Sequence, residues 1–252
     1  MTFGSIGHRK DVLIAVSDRT PVDCPQQNDR TGVIVSFGQS NAANMAQHRF
    51  SPEEVPDVIN WYDRKCYPAQ SPLLGATGSR GEWISIASQK LVENGTFDKV
   101  VILSLGVGAS PVAAWGSEGD LNKRLMENLA EISRIYSITD LIWHQGEADL
   151  SWGVGRSQYF ETFRRISEGI REIVPEAPIL MSIASYCKSG DYLNNITDAQ
   201  FELVNLIDGI ELGVNTDLLV PPSMRPDGCH FELEGQLAVA THIADTIARY
   251  HR

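Results

Sequence analysis

The run Lys99-Val100-Val101-Ile102-Leu103-Ser104-Leu105 constrains this chain more than any other stretch. Its apolar residues do not alternate with polar ones. A strand formed here is therefore covered on both faces, the condition of a parallel strand inside an α/β fold. Val33 to Phe37, Ile138 to Trp143 and Ile179 to Ala184 read the same way, and Val58 to Tyr62 and Ile210 to Val214 read as shorter strands. Stretches with helical spacing lie between them. Glu82 to Asn94 repeats Trp83, Ile86, Ala87 and Leu91 and stops at Gly95. Asp120 to Tyr136 repeats Leu121, Leu125, Leu129 and Ile132, with Asp120 as its N-cap. Ser157 to Val174, Thr197 to Ile207 and Glu234 to Tyr250 complete the helices. This alternation predicts a three-layer α/β/α sandwich around a central, mostly parallel sheet of about five strands. No repeat, low-complexity tract or linker divides the chain. Residues 31–252 read as a single domain behind an irregular lead-in at 1–30, where Asp11 to Val16 offers a short strand and Pro21 and Pro25 interrupt it.

Composition narrows the partners. A formal net charge of −11 argues against nucleic acid and against an acidic membrane surface. The apolar runs have strand length and are too short to span a bilayer. Met1 to Asp11 lacks the basic-then-apolar order of a secretory signal, so the chain reads as cytoplasmic, or as secreted or periplasmic where a signal has been removed. Cys24, Cys66, Cys187 and Cys229 lie far apart with no C-x-x-C pair. That spacing suggests neither a zinc site nor a redox motif, and the four are expected to be free thiols.

Ligands in such sheets bind beyond the carboxyl ends of the strands. The segments expected there are Gly38-Gln39-Ser40-Asn41, Gly106 to Pro111, His144-Gln145-Gly146-Glu147-Ala148-Asp149, and Asp227-Gly228-Cys229-His230. Ala42 to Ala46 reads as the start of a helix behind Ser40, whose N-terminal N–H groups would favour a developing oxyanion. Taken alone, Ser40 reads first as a helix N-cap. Asp227 and His230 change that balance, because a carboxylate three residues from an imidazole can fix its tautomer and stabilise its protonated form. His144 and Glu147 have a spacing used by metal ligands, but with no third ligand nearby they read as hydrogen-bonding support. Cys229 beside His230 is a poor nucleophile candidate, since adjacent side chains diverge. Of the tryptophans, Trp143 belongs to the core, whereas Trp115 and Trp152, in loops, can stack on a sugar ring. Arg49, Arg80 and Arg225 read as solvated surface residues.

These blocks, in this order, resemble the SGNH (GDSL-like) hydrolase superfamily, and within it the sialate O-acetylesterase-like and plant-type carbohydrate esterases. Gly108 to Trp115 resembles the branch's Gly-Gly-x-x-Ile-x-x-Trp segment. The resemblance implies a flavodoxin-like sheet, with Ser40 as nucleophile, His230 as general base and then acid, and Asp227 as its orienter. It implies oxyanion donors at the backbone N–H groups of Ser40 and Gly108 and at the Gln145 side-chain amide. Gln39, Asn41 and Glu147 would support the site, and Trp115 is a candidate substrate contact. No metal and no organic cofactor is called for. Two departures stand out: Gln-Gly-Glu replaces the asparagine block of the wider superfamily, and Ala109 stands where many relatives have glycine, excluding a positive φ. The activity implied is a serine esterase that removes acetyl groups from a carbohydrate, its partner a small molecule or glycan carrying acetyl esters. An esterase for lipid-like or small aryl esters, or a non-catalytic carbohydrate-binding relative, are the alternatives.

Overall fold

Successive residues of a strand point to opposite faces, and the core divides along that parity. In β1 (Thr31–Gly38) all eight residues are buried. Val33, Val35 and Phe37 enter one apolar cluster and Ile34 enters the other. The first cluster collects β4 (Lys99–Ser104) through Val101 and Leu103, β5 (Asp140–His144) through Leu141 and Trp143, and β6 (Ile179–Ile183) through Ile179 and Met181. It is covered by α3 (Asp120–Ile132), α5 (Arg156–Ile173) and α6 (Asn195–Leu206), which contribute Leu125, Leu129, Phe163, Ile166 and Leu203. The opposite face carries Val100, Ile102, Ile142 and Leu180 beneath α1 (Ile84–Glu93) and α8 (Leu233–Tyr250). Full burial of each such side chain contributes about 1.5–3 kcal/mol, so both faces of the sheet hold the fold together.

The structure is a computed structural model that describes residues 18–188, 191 and 193–251. The strand expected at 11–16 lies outside them. The sheet has seven strands rather than about five, ordered β3-β2-β4-β1-β5-β6-β7. β2 (Val58–Tyr62) and β7 (Ile210–Asn215) form where the two shorter strands were expected, and the antiparallel β3 (Lys65–Pro68) is the strand not foreseen. Four residues beside a turn, as in Lys65 to Pro68, give too short a pattern to read as a strand. Short helices α2 (Val112–Trp115), α4 (Glu147–Ser151) and α7 (Thr216–Leu219) follow β4, β5 and β7. Gly119, not Asp120, is the N-cap of α3; Asp120 lies in its first turn.

The cysteines are not free thiols. Cys24 is bonded to Cys66 and Cys187 to Cys229. The first disulfide fastens the segment before β1 to β3, where Val22 also makes a single bridge to Cys66. Each pair is separated by 42 residues. Sequence spacing gives no hint of such long closures; the sheet order brings the partners together.

Candidate active site

After β1 the chain runs outward to β2, returns at β4 on one side of β1, and continues to β5 on the other. The carboxyl end of β1 is thus the switch point at which an α/β sheet opens a crevice. Gly38 ends the strand with φ +129, and a Cβ there would collide with the carbonyl of His144. Only glycine lets β1 and β5 approach so closely. Gln39 N–H donates to that carbonyl at 2.9 Å. Its buried side chain turns inward, where Oε1 accepts from the N–H groups of Gly146 (3.3 Å) and Ala148 (3.1 Å).

Ser40 follows at the mouth of the crevice, 6% exposed. No α-helix begins behind it: Ser40–Ala42 forms one 3-10 turn, and the chain then stays irregular. The cause is Asn44, whose amide donates to the carbonyls of Leu73 and Ala76 and whose Oδ1 accepts from Leu73 N–H. This pins the chain to the 73–76 loop where a helix would have continued. A helix dipole therefore has no part in the Ser40 environment. Among the described residues, no hydrogen bond engages the Ser40 N–H or Oγ.

Asp227 and His230 meet as their spacing predicts. Asp227 Oδ1 accepts from the N–H groups of Cys229 (2.9 Å) and His230 (2.8 Å), and Oδ2 lies 2.7 Å from His230 Nδ1. Partial burial pushes the Asp227 carboxyl up, but the His230 side chain and the two backbone donors outweigh it and hold it at about 2. The carboxylate fixes the proton on Nδ1 and leaves Nε2 as the basic nitrogen.

The loop carrying this pair is anchored from below by Arg225, which is buried rather than solvated. Its guanidinium donates to the carbonyls of Val220, Tyr186, Cys229 and Thr216 and lies over the rings of Tyr186 (5.3 Å) and Phe231 (4.9 Å). The Cys187–Cys229 disulfide and the 2.6 Å bond from Lys188 N–H to the Gly228 carbonyl tie the same loop to the chain after β6.

The third block supports the site without supplying the donor expected of it. Gln145 is fully buried, and its amide donates to Gln39 Oε1, the Ser110 carbonyl and Asp149 Oδ2. Its amide is thus engaged by groups of the chain, and Gln145 is not among the residues that line the cavity around Ser40. The Gly108 N–H is engaged by Thr77 Oγ1 at 2.8 Å. Its neighbour Ala109 adopts φ +55, the left-handed conformation that alanine was expected to exclude, and among the described residues no partner takes its N–H. Asn41 Nδ2 donates to Glu147 Oε1 (2.9 Å) and to the Cys229 carbonyl (3.2 Å). Burial pushes the Glu147 carboxyl up; it also pushes Asp149 up, to about 6, against hydrogen bonds from Gln145 and Val112. Burial, followed by the charge of Arg225, drives His144 down to about 3, so its ring is neutral.

Ser40, Asp227 and His230 line one cavity of about 450 Å³ with Gly108, Ala109 and Glu147, a size suited to a small organic ligand. Trp115 is not among them. It is 1% exposed, packs edge-on against Phe37 and Trp143, and donates its indole N–H to Ser110 Oγ. It therefore builds the core beneath the site. Trp152, 57% exposed, stands at the rim together with Met45, Ser151 and Lys188. Two loop tryptophans are alike in sequence; only the packing of α2 distinguishes them. Among the described residues, no group of three His, Cys, Asp or Glu side chains is placed to hold a metal ion.

The fold is shared with several solved structures, all of low identity. A protein of Arabidopsis thaliana superposes with a TM-score of 0.70 at 16% identity, over 88% of this chain and 99% of its own. NanS gives a TM-score of 0.61 at 14% identity over 88% and 98% of the two chains. Est24, a carbohydrate acetylesterase from Sinorhizobium meliloti, gives 0.53 at 12% identity over 87% and 99%. No curated protein sequence matches the chain. The sequence profile for carbohydrate esterases described as sialic acid-specific acetylesterases matches residues 30–249, which takes in every block of the site. With nearly its whole length matched, the chain belongs to this carbohydrate esterase family and is a carboxylic ester hydrolase of the acetylesterase type.

Proposed function

We propose that the protein removes O-acetyl groups from a carbohydrate through a Ser40–His230–Asp227 triad and an acetyl-enzyme intermediate. The observation that carries this reading is the 2.7 Å contact of Asp227 with His230 Nδ1 in the cavity that also exposes Ser40. His230 Nε2 takes the hydroxyl proton as Ser40 Oγ attacks the ester carbonyl. The tetrahedral intermediate collapses with cleavage of the bond to the sugar oxygen, which leaves with that proton. Water then gives a proton to Nε2, attacks the acetyl carbonyl, and releases acetate while Ser40 regains its hydrogen. Among the described residues the backbone N–H groups of Ser40 and Ala109 have no partner, and they are the donors on hand for the oxyanion; each such donor is worth about a hundredfold in rate. The Trp152 ring at the rim offers an apolar surface to a sugar face, and Lys188 a positive charge. The two disulfides suit an oxidising compartment.

The test is hydrolysis of 4-nitrophenyl acetate by wild type and Ser40→Ala. We expect loss of about a thousandfold or more in kcat, as for other nucleophile deletions. Equal rates in the two proteins would end the esterase mechanism through Ser40. Acetate release from a panel of acetylated glycans identifies the sugar, and a preference for octanoyl over acetyl esters would favour a lipid-directed enzyme instead.

A further inference from the structure

The cavity has two unlike sides, and the strand order sets them apart. Ser40 stands at the end of β1, with β4 on one side and β5, then β6, on the other. Ser151 and Trp152 come after β5, and Cys187 and Lys188 after β6. The loop of Asp227 and His230 is tied to this second side through the Cys187–Cys229 disulfide. Gly108 and Ala109 come after β4, and half-buried Met45 completes the wall with them. The mechanism above gives Met45 no task. Its place is nevertheless fixed. Asn44 N–H donates to the Thr77 carbonyl at 2.9 Å, and Ala46 and Gly81 exchange backbone bonds of 3.0 and 2.8 Å, so the chain is held on both flanks of Met45. The side chain reaches across to the loop after β4. A Cβ on Gly108 would lie 3.1 Å from the Met45 methyl, and one on Gly78 would lie 3.0 Å from it. The methyl thus occupies a notch that exists because both residues are glycine. Gly108 N–H bonds Thr77 Oγ1, which ties the far wall of the notch to the segment that holds Asn44.

The direction of the reaction assigns a use to each side. The proton that His230 takes from Ser40 passes to the leaving oxygen, so the sugar lies on the side of His230. The acyl carbon then carries its oxygen and its chain toward the β4 side, where the Ser40 and Ala109 N–H groups receive the oxygen. What the chain meets there is Met45. A free methionine side chain adapts to many shapes, but here the notch confines its methyl. An acetyl methyl can rest against such a stop, whereas each further carbon has to displace it. We propose that Met45 is the residue that limits the acyl group to acetyl, its thioether forming the end wall of the acyl site while Trp152 and Lys188 face the sugar. The inference rests on the triad reading above and adds to it the residue that sets acyl length.

The test compares kcat/KM for 4-nitrophenyl acetate and butyrate in wild type and three variants, alongside thermal melts. Wild type should prefer acetate by about tenfold or more, the discrimination typical of added methylenes in a closed pocket. Met45→Ala removes the thioether and opens room for the longer chain, so butyrate should come within about twofold of acetate. Met45→Leu, close in volume, should keep the wild-type preference. Trp152→Ala should keep it too, whatever it does to the rate itself. An acetate preference that survives Met45→Ala, or a wild type that takes butyrate as readily as acetate, would overturn the proposal. Loss of the preference in Trp152→Ala instead would place the acyl chain on the β5 side and overturn it as well. If Met45→Ala does not fold, Met45→Val shortens the same side chain and carries the same comparison. Rates of Ser40 labelling by methyl- and butylphosphonate esters should follow the same order without any need for turnover. Hydrolysis that persists in Ser40→Ala would defeat the triad reading itself, an outcome seen in one variant before any chain lengths are compared.

Discussion

Ala109 is the residue at which local preference and site geometry conflict most openly. Its φ of +55 places an alanine where the side chain crowds the backbone, at a cost of about 1–2 kcal/mol. Such strain gathers where a loop must present a group in one direction, here an N–H at the cavity wall. Ala109→Gly relieves the crowding but gives back about 0.5–1 kcal/mol in unfolded-state freedom. We expect the variant to be more stable by roughly 0.5–1 kcal/mol in urea denaturation, with kcat on 4-nitrophenyl acetate within twofold of wild type. A variant less stable than wild type would show that the left-handed turn is not strained. At this scale the sequence was informative where chemistry is local. Asp227 and His230 lie three residues apart, and their pairing needs nothing from the remaining fold. Gln145 and Trp115 were misread because their direction is set by distant partners: Gln39 and Asp149 for one, Phe37 and Trp143 for the other.

At the scale of elements, both ends of the sheet carry an ionic clasp, and they respond to pH in opposite directions. At the carboxyl end, Asp227 is held at about 2, below its ordinary value, so its contribution is present above that ordinary value and is lost as pH falls toward 2. At the other end His251, just past α8, bonds buried Asp140 at the start of β5 with Nε2 3.0 Å from Oδ2. That hydrogen bond raises the imidazole pKa against the opposing effect of burial. A raised folded-state pKa means stability that is complete below the unfolded value and lost as pH climbs through the folded one. His251→Ala should therefore lower stability by about 1 kcal/mol in mildly acid solution, the difference shrinking as the solution becomes alkaline, which melts across pH will read. A difference that grows with pH would contradict the clasp. Element existence was legible from sequence because buried parallel strands and amphipathic helices repeat over many residues. The missing helix after Ser40 was not, since Ala42 to Ala46 has helical composition and only Asn44, reaching across to the 73–76 loop, diverts it.

Considered as a whole molecule, the chain reads its own topology into the site: every candidate block follows a strand of one sheet or is tied to one that does. The disulfides were the largest omission, and the reason is physical. A closure across 42 residues leaves no periodic trace, and the expectation of free thiols came from the wide spacing of the four cysteines in a chain of this size. Thiol titration of the unfolded, unreduced protein should find none, and all four after reduction. Replacing Cys187 and Cys229 by alanine removes a loop constraint worth about 4 kcal/mol and should lower kcat by loosening the His230 loop, measured by melts and by acetate release. An unchanged kcat would mean that Arg225 and Asn41 suffice to hold it.

The Cys187–Cys229 link also alters what a cut in the backbone can do. It encloses α6, β7 and α7 within a covalent ring that closes next to His230. One peptide bond broken anywhere inside that ring opens the circuit but yields no separate piece. Asp227 and His230 stay fastened to the body that carries Ser40, so a nicked molecule keeps all three groups until a reductant reaches the sulfurs.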